Sequence, residues 1–347
     1  MTSLVSVIVP SRSRSTKLVD LAEALARQHL PSGLSLELVV AIDGDGEPNA
    51  LPAGLETTVL AEDFVGISDA RNKAIAASGG DLLVVVNDDI VPSTGFIAAH
   101  ARAHATQAGV RAVVGESPWR SWEQPTVFDM FVAHTPALFD RGSLRPRQMQ
   151  GFRSAWGLNI SYRRASIVEH DGPYAGPLRP IYFDDVEFAH RVFGEEACVY
   201  HEPDALAEHN HRVGVREYFW RETMLGVMAP ELHAVNPRCY DAIFPLPPAD
   251  LAARGADGLE LDIRDHTRLF EWFTRYAAEP AETLGTSPAH GTKGLFAAHL
   301  PLKRRAFRLG LRAAMQQPDL PWQSRPELAT RTVAEDEVFA ALYAAAE

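Results

Sequence analysis

Cysteine is almost missing from this chain, which has only Cys198 and Cys239 among its 347 residues. Two cysteines are too few for a disulfide framework, and they lack the spacing of a metal site. We therefore expect a protein of the reducing cytoplasm. The N-terminus lacks the basic and apolar regions of a signal peptide, and no apolar run is long enough to span a membrane. Any membrane contact is then expected to be peripheral.

Positive charge is also scarce, with 33 Lys and Arg against 45 Asp and Glu and a net charge of −12. A general nucleic-acid binder would carry a basic footprint, so we expect no nucleic-acid partner. The hydrophobic fraction of 46% and the charged fraction of 22% are ordinary for a soluble globular protein. The length favours one large core with an appendage, or two domains.

Three common motifs are absent from the sequence. No Gly-x-Gly-x-x-Gly follows the first predicted strand, and no Gly-x-x-x-x-Gly-Lys-Ser/Thr occurs anywhere. A serine nucleophile elbow is missing as well. These absences exclude dinucleotide oxidoreductases and P-loop enzymes, and they argue against hydrolases of the elbow type.

Apolar runs alternate with helical patterns over the first 213 residues. The runs predict strands at 5–9, 36–42, 57–61, 82–86, 112–115, 156–162 and 197–200. Helical spacing predicts helices at 17–28, 67–78 (capped by Gly79-Gly80), 93–107 and 186–192, a short helix near 164–169 and a turn at 171–173. The alternation predicts an α/β fold with a doubly wound, mostly parallel sheet. Residues 116–150 fit no element and are a candidate substrate loop.

Beyond residue 214 the spacing becomes helical at 216–228, 264–277 and 297–316, with proline-rich breaks between. We interpret 214–347 as a mainly helical C-terminal extension. A basic cluster lies in its last predicted helix: Lys303, Arg304, Arg305, Arg308 and Arg312. The cluster could meet an anionic membrane surface, or the helix could pack on the protein with a solvated basic face.

The strand at 82–86 ends directly in Asn87, Asp88 and Asp89. Ligands of open α/β sheets bind at the carboxyl ends of the strands, and these side chains offer hard oxygen ligands. A divalent cation with a phosphate substrate would suit this place. A capping turn is the alternative, because Asn and Asp favour loops and Pro92 could precede a helix.

A second acidic cluster contains Asp184, Asp185 and Glu187. Such acids are stabilised at a helix start by the helix dipole, which gives a structural explanation. A carboxylate crowded by like charge can also act as a general base toward a hydroxyl. Arg191 could pair with Glu187 and leave an Asp available for that role.

Three further groups are candidates for the same crevice. His209 and His211 point the same way if they lie on a strand, and mixed imidazole and carboxylate ligands suit Mn²⁺ or Mg²⁺; surface histidines are the alternative. Asp43 ends a predicted strand and could read a nucleotide, or belong to a Gly-flanked turn. Arg71 and Asn72 could face the crevice or lie on a solvated helix face.

These pieces, in this order, resemble the family 2 glycosyltransferases of the GT-A fold. The matching segments are Val5 to Pro10, Ala41 to Gly44, Gly66 to Ala74, Val86 to Pro92, Gly157 to Ser161, Phe183 to Arg191 and His209. The resemblance covers roughly residues 4–212. It implies that 1–213 form a GT-A nucleotide-sugar-binding and catalytic domain.

The resemblance also implies a reaction and its residues. We expect inverting, metal-dependent transfer of a sugar from a nucleotide diphosphate, with a UDP-sugar as the expected donor, to a saccharide or lipid-linked acceptor. Asp185 would be the general base, and the metal ligands for Mn²⁺ or Mg²⁺ would be Asp89, Asn87, His209 and His211. The substrate-binding residues would be Pro10, Arg12, Asp43, Arg71, Asn72, Asp88, Trp156 and Asp184. Trp156 could instead be a buried strand residue.

The sequence departs from the family pattern at Asn87, which carries no charge, and at Asp184, which is shorter than the Glu of the family's Glu-Asp motif. A catalytically inactive GT-A-like binding or scaffold protein is therefore the competing hypothesis. A sugar-1-phosphate nucleotidyltransferase would need a Gly-rich loop after the first strand. Residues 11–14 contain no glycine.

Overall fold

The chain divides into two structural units in the computed structural model, which describes residues 3–12, 16–44, 50–63, 66–167, 173–175, 182–196, 198–253, 263–285 and 287–343. The sheet unit contains Met1–Arg120 and Leu144–His211. The helical unit contains Ser121–Ser143 and Arg212–Glu347. The predicted boundary after residue 213 lies close to the break after His211. Residues 121–143, however, fold with the helices rather than with the first predicted domain.

Nine strands of the described residues build the sheet, in the order β3-β2-β1-β4-β8-β6-β9-β5, with β7 beside β9. They are β1 Ser3–Arg12, β2 Leu34–Asp43, β3 Glu56–Glu62, β4 Leu82–Val86, β5 Ile90–Pro92, β6 Ala112–Glu116, β7 Met149–Gln150, β8 Asn159–Arg163 and β9 Val199–His209. Strands β3, β2, β1 and β4 are parallel neighbours, as are β6 and β9. Strand β8 runs antiparallel between β4 and β6. The predicted α/β class with a mostly parallel sheet is confirmed.

The helices follow the two units. The sheet unit contains α1 Thr16–Ala26, α2 Ile67–Ala77, α3 Phe96–Thr106 and α5 Asp184–Phe193, and the helical unit contains α4 Val127–His134, α6 Val215–Val235, α7 Pro237–Ile243, α8 Pro248–Ala253, α9 Ile263–Ala277, α10 Pro288–Gln316, α11 Arg325–Ala334 and α12 Ala340–Tyr343. The predicted helical appendage is confirmed. Within the described residues, none of these helices is long and apolar enough to cross a membrane.

The core of the sheet unit lies under the parallel strands. All five residues of β4 are buried, as expected for a strand covered on both faces. Its neighbour β1 pairs Val5 with Leu82 and buries its own apolar residues. Because β1, β2, β4 and β6 point the same way, their carboxyl ends lie along one edge of the sheet, where ligands of such folds bind.

The core of the helical unit is aromatic. Phe128 and Phe131 of α4 contact Tyr218 of α6, Phe273 of α9 and, for Phe131, His299 of α10. These ring contacts give residues 121–143, which the sequence left unassigned, their place among the helices. The predicted role of 116–150 as a substrate loop remains a prediction.

Several predicted element bounds need correction. The structure begins β8 at Asn159, so Trp156 precedes the strand instead of lying on it. Ser78, with an extended backbone, ends α2, and neither Gly79 nor Gly80 has the positive φ of a glycine cap. The short helix near 164–169 is a single 3-10 turn at Arg164–Ser166. Residues 168–172 and 197, which belong to predicted elements, lie outside the described residues.

Strand β9 is the largest difference from the prediction. It continues past Tyr200 to His209, first parallel to β6 and then antiparallel to β5. Between the two pairings the register shifts, so that Gly115 pairs with Glu202 but Glu116 pairs with Leu206. The extra residues form a bulge, which bends a strand and re-aims its side chains. The bulge directs the end of β9 toward β5.

Gly115 lies where this bulge crosses β6. A Cβ atom there would lie 2.2 Å from the Ala205 carbonyl oxygen and 2.3 Å from Nδ2 of Asn159. Asn159 is buried, and its Nδ2 donates to that same carbonyl at 3.0 Å. Only glycine therefore fits between the bulge and the amide that holds it.

We predict that Gly115→Ala lowers the free energy of unfolding of the sheet unit by about 2 kcal/mol, because the added methyl group must displace backbone. Urea denaturation measures the change. Gly95→Ala is the matched control, since a Cβ atom at Gly95 meets nothing within 4 Å. Equal stability of the two variants would contradict the close approach.

Candidate active site

The pairing of β5 with β9 brings one carboxylate to two imidazoles. Asp89 immediately precedes β5, and Ile90 pairs with His209 at the end of β9. His209 Nε2 lies 3.4 Å from Oδ1 of Asp89, and His211 Nδ1 lies 3.1 Å from Oδ2. One ligand atom from each of the three residues lies within 4.8 Å of the others. The predicted same-side projection of the two histidines is therefore seen.

The Asp89 carboxylate is held ionised by this arrangement. Its burial alone would raise its pKa, but hydrogen bonds and charge from His209 and His211 outweigh burial and lower the pKa well below its usual range. Asp89 Oδ1 is buried, and Nε2 of His209 lies 3.4 Å from it. A buried carboxylate oxygen beside two imidazole nitrogens is a donor set that fits a divalent cation.

Neighbouring groups fix the cluster from two sides. The ring of Trp119 stacks on His209 with centroids 4.3 Å apart. The backbone N–H of Asn210 donates to the Asp89 carbonyl at 2.7 Å. Lys17, in the first turn of α1, places Nζ 3.4 Å from Nδ1 of His211. Backbone pairing and ring stacking thus position the imidazoles before any ligand arrives.

Asn87 and Asp88 lie between β4 and β5. Asp88 accepts a hydrogen bond of 2.6 Å from the hydroxyl of Ser11, near the end of β1. Asn87 is half-buried, and its backbone N–H donates to Leu158. The structure therefore directs Asp88 toward β1 and Asp89 toward the histidines. A ligand role for Asn87 stays a prediction.

Asp184 and Arg71 form a buried ion pair between α5 and α2. Both residues are at least 95% buried, and Arg71 also lies over the ring of Tyr174 at 5.1 Å. Burial raises the pKa of Asp184 above its usual range, although Arg71 opposes this rise. Burial alone would lower the pKa of Arg71, but the charge of Asp184, together with Tyr174, Asp185 and Tyr162, raises it above its usual value. The Arg71 guanidinium thus balances the charge of the Asp184 carboxylate.

Asp185 is oriented by backbone donors. The N–H of Gly157 donates to its Oδ2 and the N–H of Val186 to its Oδ1, both at 2.8 Å. The side chain is half-buried. Glu187 is fully buried and accepts from Nε of Arg191 at 2.8 Å, as predicted. Of the three acids, Asp185 alone is neither in an arginine ion pair nor fully buried.

The other predicted substrate residues are placed as follows. Asn72 forms two hydrogen bonds with the backbone of Tyr174, so its amide holds that segment. Trp156 is half-buried, and not a buried strand residue. Asp43 ends β2 opposite Arg12 of β1, and Pro10 lies two residues earlier in the same strand. Direct contacts join Asp89 to the two histidines and, separately, Arg71 to Asp184. Asp43 and Pro10 lie near the carboxyl ends of β2 and β1.

Sequence reasoning missed several residues of this region. Lys17 gave no signal, because a lysine in an amphipathic helix usually lies on its solvated face. Ser11 and Trp119 became relevant only through strand pairing. Gly157 was noted in the sequence only as the start of the Gly157 to Ser161 match. The structure shows that a Cβ atom there would lie 2.7 Å from Nη2 of the buried Arg71.

The N-terminal part of the chain matches a model of a known family. Residues 6–168 match the model described as glycosyl transferase family 2. This segment is thus similar to glycosyl transferase family 2, as the sequence predicted. The match ends before Asp185, His209 and His211, so the role of these family 2 candidates depends on their geometry.

Solved structures resemble the chain at low identity, and no curated protein matched it. A mannosyltransferase from Pyrobaculum calidifontis in complex with GDP-Man and Mn²⁺ is 16% identical, with 92% of this chain and 89% of that chain covered and a TM-score of 0.48. S. aureus TarS 1–349 in complex with UDP-GlcNAc is 17% identical, with coverages of 91% and 92% and a TM-score of 0.46. Glucosyl-3-phosphoglycerate synthase from Mycobacterium tuberculosis, with Mn²⁺ and UDP-Glc, is 16% identical, with coverages of 61% and 73% and a TM-score of 0.39.

We predict that Asp184→Ala lowers the free energy of unfolding by about 3–5 kcal/mol, because it leaves the buried Arg71 guanidinium without its counter-charge. Urea denaturation gives the measurement. The double variant Arg71→Met/Asp184→Leu should recover most of the loss, since it replaces both charges with apolar volume. A double variant less stable than Asp184→Ala would contradict the proposed charge balance.

Proposed function

We propose that the protein transfers a sugar from a nucleotide diphosphate donor, a UDP-sugar, to an acceptor hydroxyl with inversion at the anomeric carbon. The observation that carries the proposal is the cluster of Asp89, His209 and His211, in which Asp89 belongs to the segment that matches family 2. The cluster lies just beyond β4, at the edge of the sheet where ligands bind. A saccharide or a lipid-linked saccharide is the proposed acceptor.

Asp89, His209 and His211 would hold Mn²⁺ or Mg²⁺, with Asn87 as a further oxygen ligand. Such an ion neutralises the charge of a departing diphosphate. The protein's part is to keep Asp89 ionised and both imidazoles aimed at it. The stacking of Trp119 on His209 and the β5–β9 register meet that requirement without a rearrangement.

Asp185 is the proposed general base. Its carboxylate would take the proton of the acceptor hydroxyl while that oxygen bonds to the anomeric carbon and the bond to the diphosphate breaks. A single displacement of this kind inverts the anomeric centre. The two backbone N–H donors hold the carboxylate in one orientation, which favours proton transfer to a defined position.

The remaining candidates divide into two groups. The first group lies at or near the strand ends: Pro10 and Arg12 in β1, and Asp43 at the end of β2. We propose that this group, with Asp88 and Trp156, contacts the nucleotide and the sugar. Arg71, Asn72 and Asp184 were predicted to contact substrate as well. Their contacts support a positioning role instead. Arg71 pairs with Asp184 at the start of α5, next to Asp185, and Asn72 binds the backbone of Tyr174.

A binding or scaffold protein without turnover is the second candidate. Asn87 favours it, because an uncharged amide replaces a carboxylate beside the metal cluster. The ionised Asp89 favours turnover, since it supplies the negative charge that a cation needs.

We predict that Asp185→Asn lowers transfer or donor hydrolysis by about 10²–10⁴-fold, the usual range for loss of a general base, while Mn²⁺ binding is retained. Asp89→Asn should lose both activity and Mn²⁺ binding. A panel of UDP- and GDP-sugars assayed with Mn²⁺ and with EDTA provides the measurement, and Asp250→Asn on exposed helix α8 is the control. Wild-type protein that binds Mn²⁺ and nucleotide without turning over any donor would support the binding protein instead.

Peripheral membrane contact through the basic cluster is the last proposal to weigh. Lys303 donates to the Ala137 carbonyl at 2.9 Å and lies 3.6 Å from Glu222. Arg305 forms two bonds with Asp336, and Arg312 donates to a backbone carbonyl of α8. These contacts favour a helix packed within its unit.

We predict that the protein does not co-sediment with phosphatidylserine vesicles at physiological ionic strength, because Lys303 and Arg305 lie beside acids of their own unit, which lowers the net charge that the cluster offers a membrane. Sedimentation with anionic vesicles measures this. Binding that disappears in Arg304→Gln/Arg308→Gln would support membrane contact instead.

A further inference from the structure

Lys17 is a cation placed beside a proposed cation site. It lies in the first turn of α1 and is half-buried. Its Nζ is 3.4 Å from Nδ1 of His211, the nitrogen that is also 3.1 Å from Asp89. Nothing in the metal cluster itself requires a lysine at this position.

The position of Lys17 is fixed by the packing of α1 against the segments that carry the cluster. Asn210, between the two histidines, places Nδ2 3.4 Å from Asp20 of α1. Gln28, just after α1, donates to the Ser93 carbonyl at 2.6 Å and accepts from the backbone N–H of Ile97 at 3.0 Å. These bonds connect both ends of α1 to the neighbours of Asp89 and His211. Lys17 is therefore a constrained neighbour of the cluster.

The ammonium group of Lys17 lies within reach of a ligand bound at the cluster. Its Nζ carries three N–H donors and no acceptor, and it is 3.4 Å from an imidazole that is itself a proposed metal ligand. A carbonyl or water could take one of them, but a doubly anionic group could take more.

The charges point to the nature of that group. A divalent cation on Asp89, with neutral imidazoles, leaves a net positive site, and Lys17 adds a further positive charge. Two neighbouring cations repel each other unless an anion lies between them. A diphosphate has oxygens enough to bind both, as lysines and divalent ions do together in other phosphate sites.

We propose that Lys17 is a diphosphate-binding residue that shares the anionic leaving group with the metal ion. This inference rests on the proposed function. Lys17 takes part of the charge that develops when the bond between the sugar and the diphosphate breaks, and it does so from outside the metal's ligand set. It thereby contributes affinity for the diphosphate and none for the nucleoside.

The test uses calorimetric titration of the full-length protein with Mn²⁺ alone and with UDP, GDP or inorganic pyrophosphate at saturating Mn²⁺. Lys17→Met should weaken binding of the diphosphate probes by about tenfold, the effect of one lost charged hydrogen bond. Binding of Mn²⁺ alone should be unchanged or tighter, because a repelling neighbour is gone. Lys17→Arg should keep most of the affinity.

Arg27→Met is the matched control, because it removes one positive charge just after the same helix, at a 62% exposed side chain paired with Glu23. Its affinities should stay within about twofold of wild type, as is usual for exposed pairs. Thermal unfolding of each variant confirms that the fold is retained.

Two results would overturn the inference. One is a Lys17→Met variant that binds every diphosphate probe as wild type does. The other is an equal loss of affinity for Mn²⁺ alone, which would show that Lys17 only supports His211. Wild-type protein that binds pyrophosphate but neither nucleotide would rule out UDP-sugar and GDP-sugar donors. The ratio of the pyrophosphate affinities of wild type and Lys17→Met would still test Lys17. Wild-type protein that binds none of the probes would overturn both proposals.

Discussion

The candidate site depends on the register of one short antiparallel pairing, in which Ile90 of β5 lies opposite His209 of β9. A shift of one residue would turn the two histidines to the other face of the strand, away from Asp89. The pairing is only three residues long, so it needs help from elsewhere. The N–H of Asn210 on the Asp89 carbonyl and the ring of Trp119 on His209 supply it.

The register depends in turn on a defect in the sheet. Strand β9 pairs in parallel with β6 and then in antiparallel with β5, and a regular strand could not serve both partners in this way. The bulge opposite Gly115 makes the change, and Asn159 secures it from β8. Just before β8, the backbone N–H of Gly157 donates to the Asp185 carboxylate. The proposed metal site and the proposed base are therefore both supported through the β8 segment.

Much of this could be predicted from the sequence, for physical reasons. Strands such as β1 and β4 are apolar throughout because they are covered on both faces, and that pattern is visible without a structure. Strand β9 was predicted to stop at Tyr200. Residues 203–205 form the bulge, and the strand continues beyond them.

Contacts between distant residues were beyond sequence reasoning. The residue types of Arg71 and Asn72 fit a nucleotide contact as well as an internal one, and only the fold shows that they bind Asp184 and Tyr174. Lys17 belongs to the same class, since nothing in helix α1 indicates that His211 lies beside it. By contrast, Asp89 and the histidines were predicted together from residue chemistry and order, because metal ligands come from few residue types.

The assignment of residues 121–143 to the helical unit has a consequence for how the protein can be divided. The chain enters that unit, leaves it and enters it again, so a single cut cannot yield two complete domains. A fragment ending at residue 213 would retain Phe128 and Phe131 but lose Tyr218, Phe273 and His299, the rings that cover them. Such a fragment would expose an aromatic surface and tend to aggregate. The helical extension is thus a partner for part of the N-terminal sequence, and not a detachable addition to it.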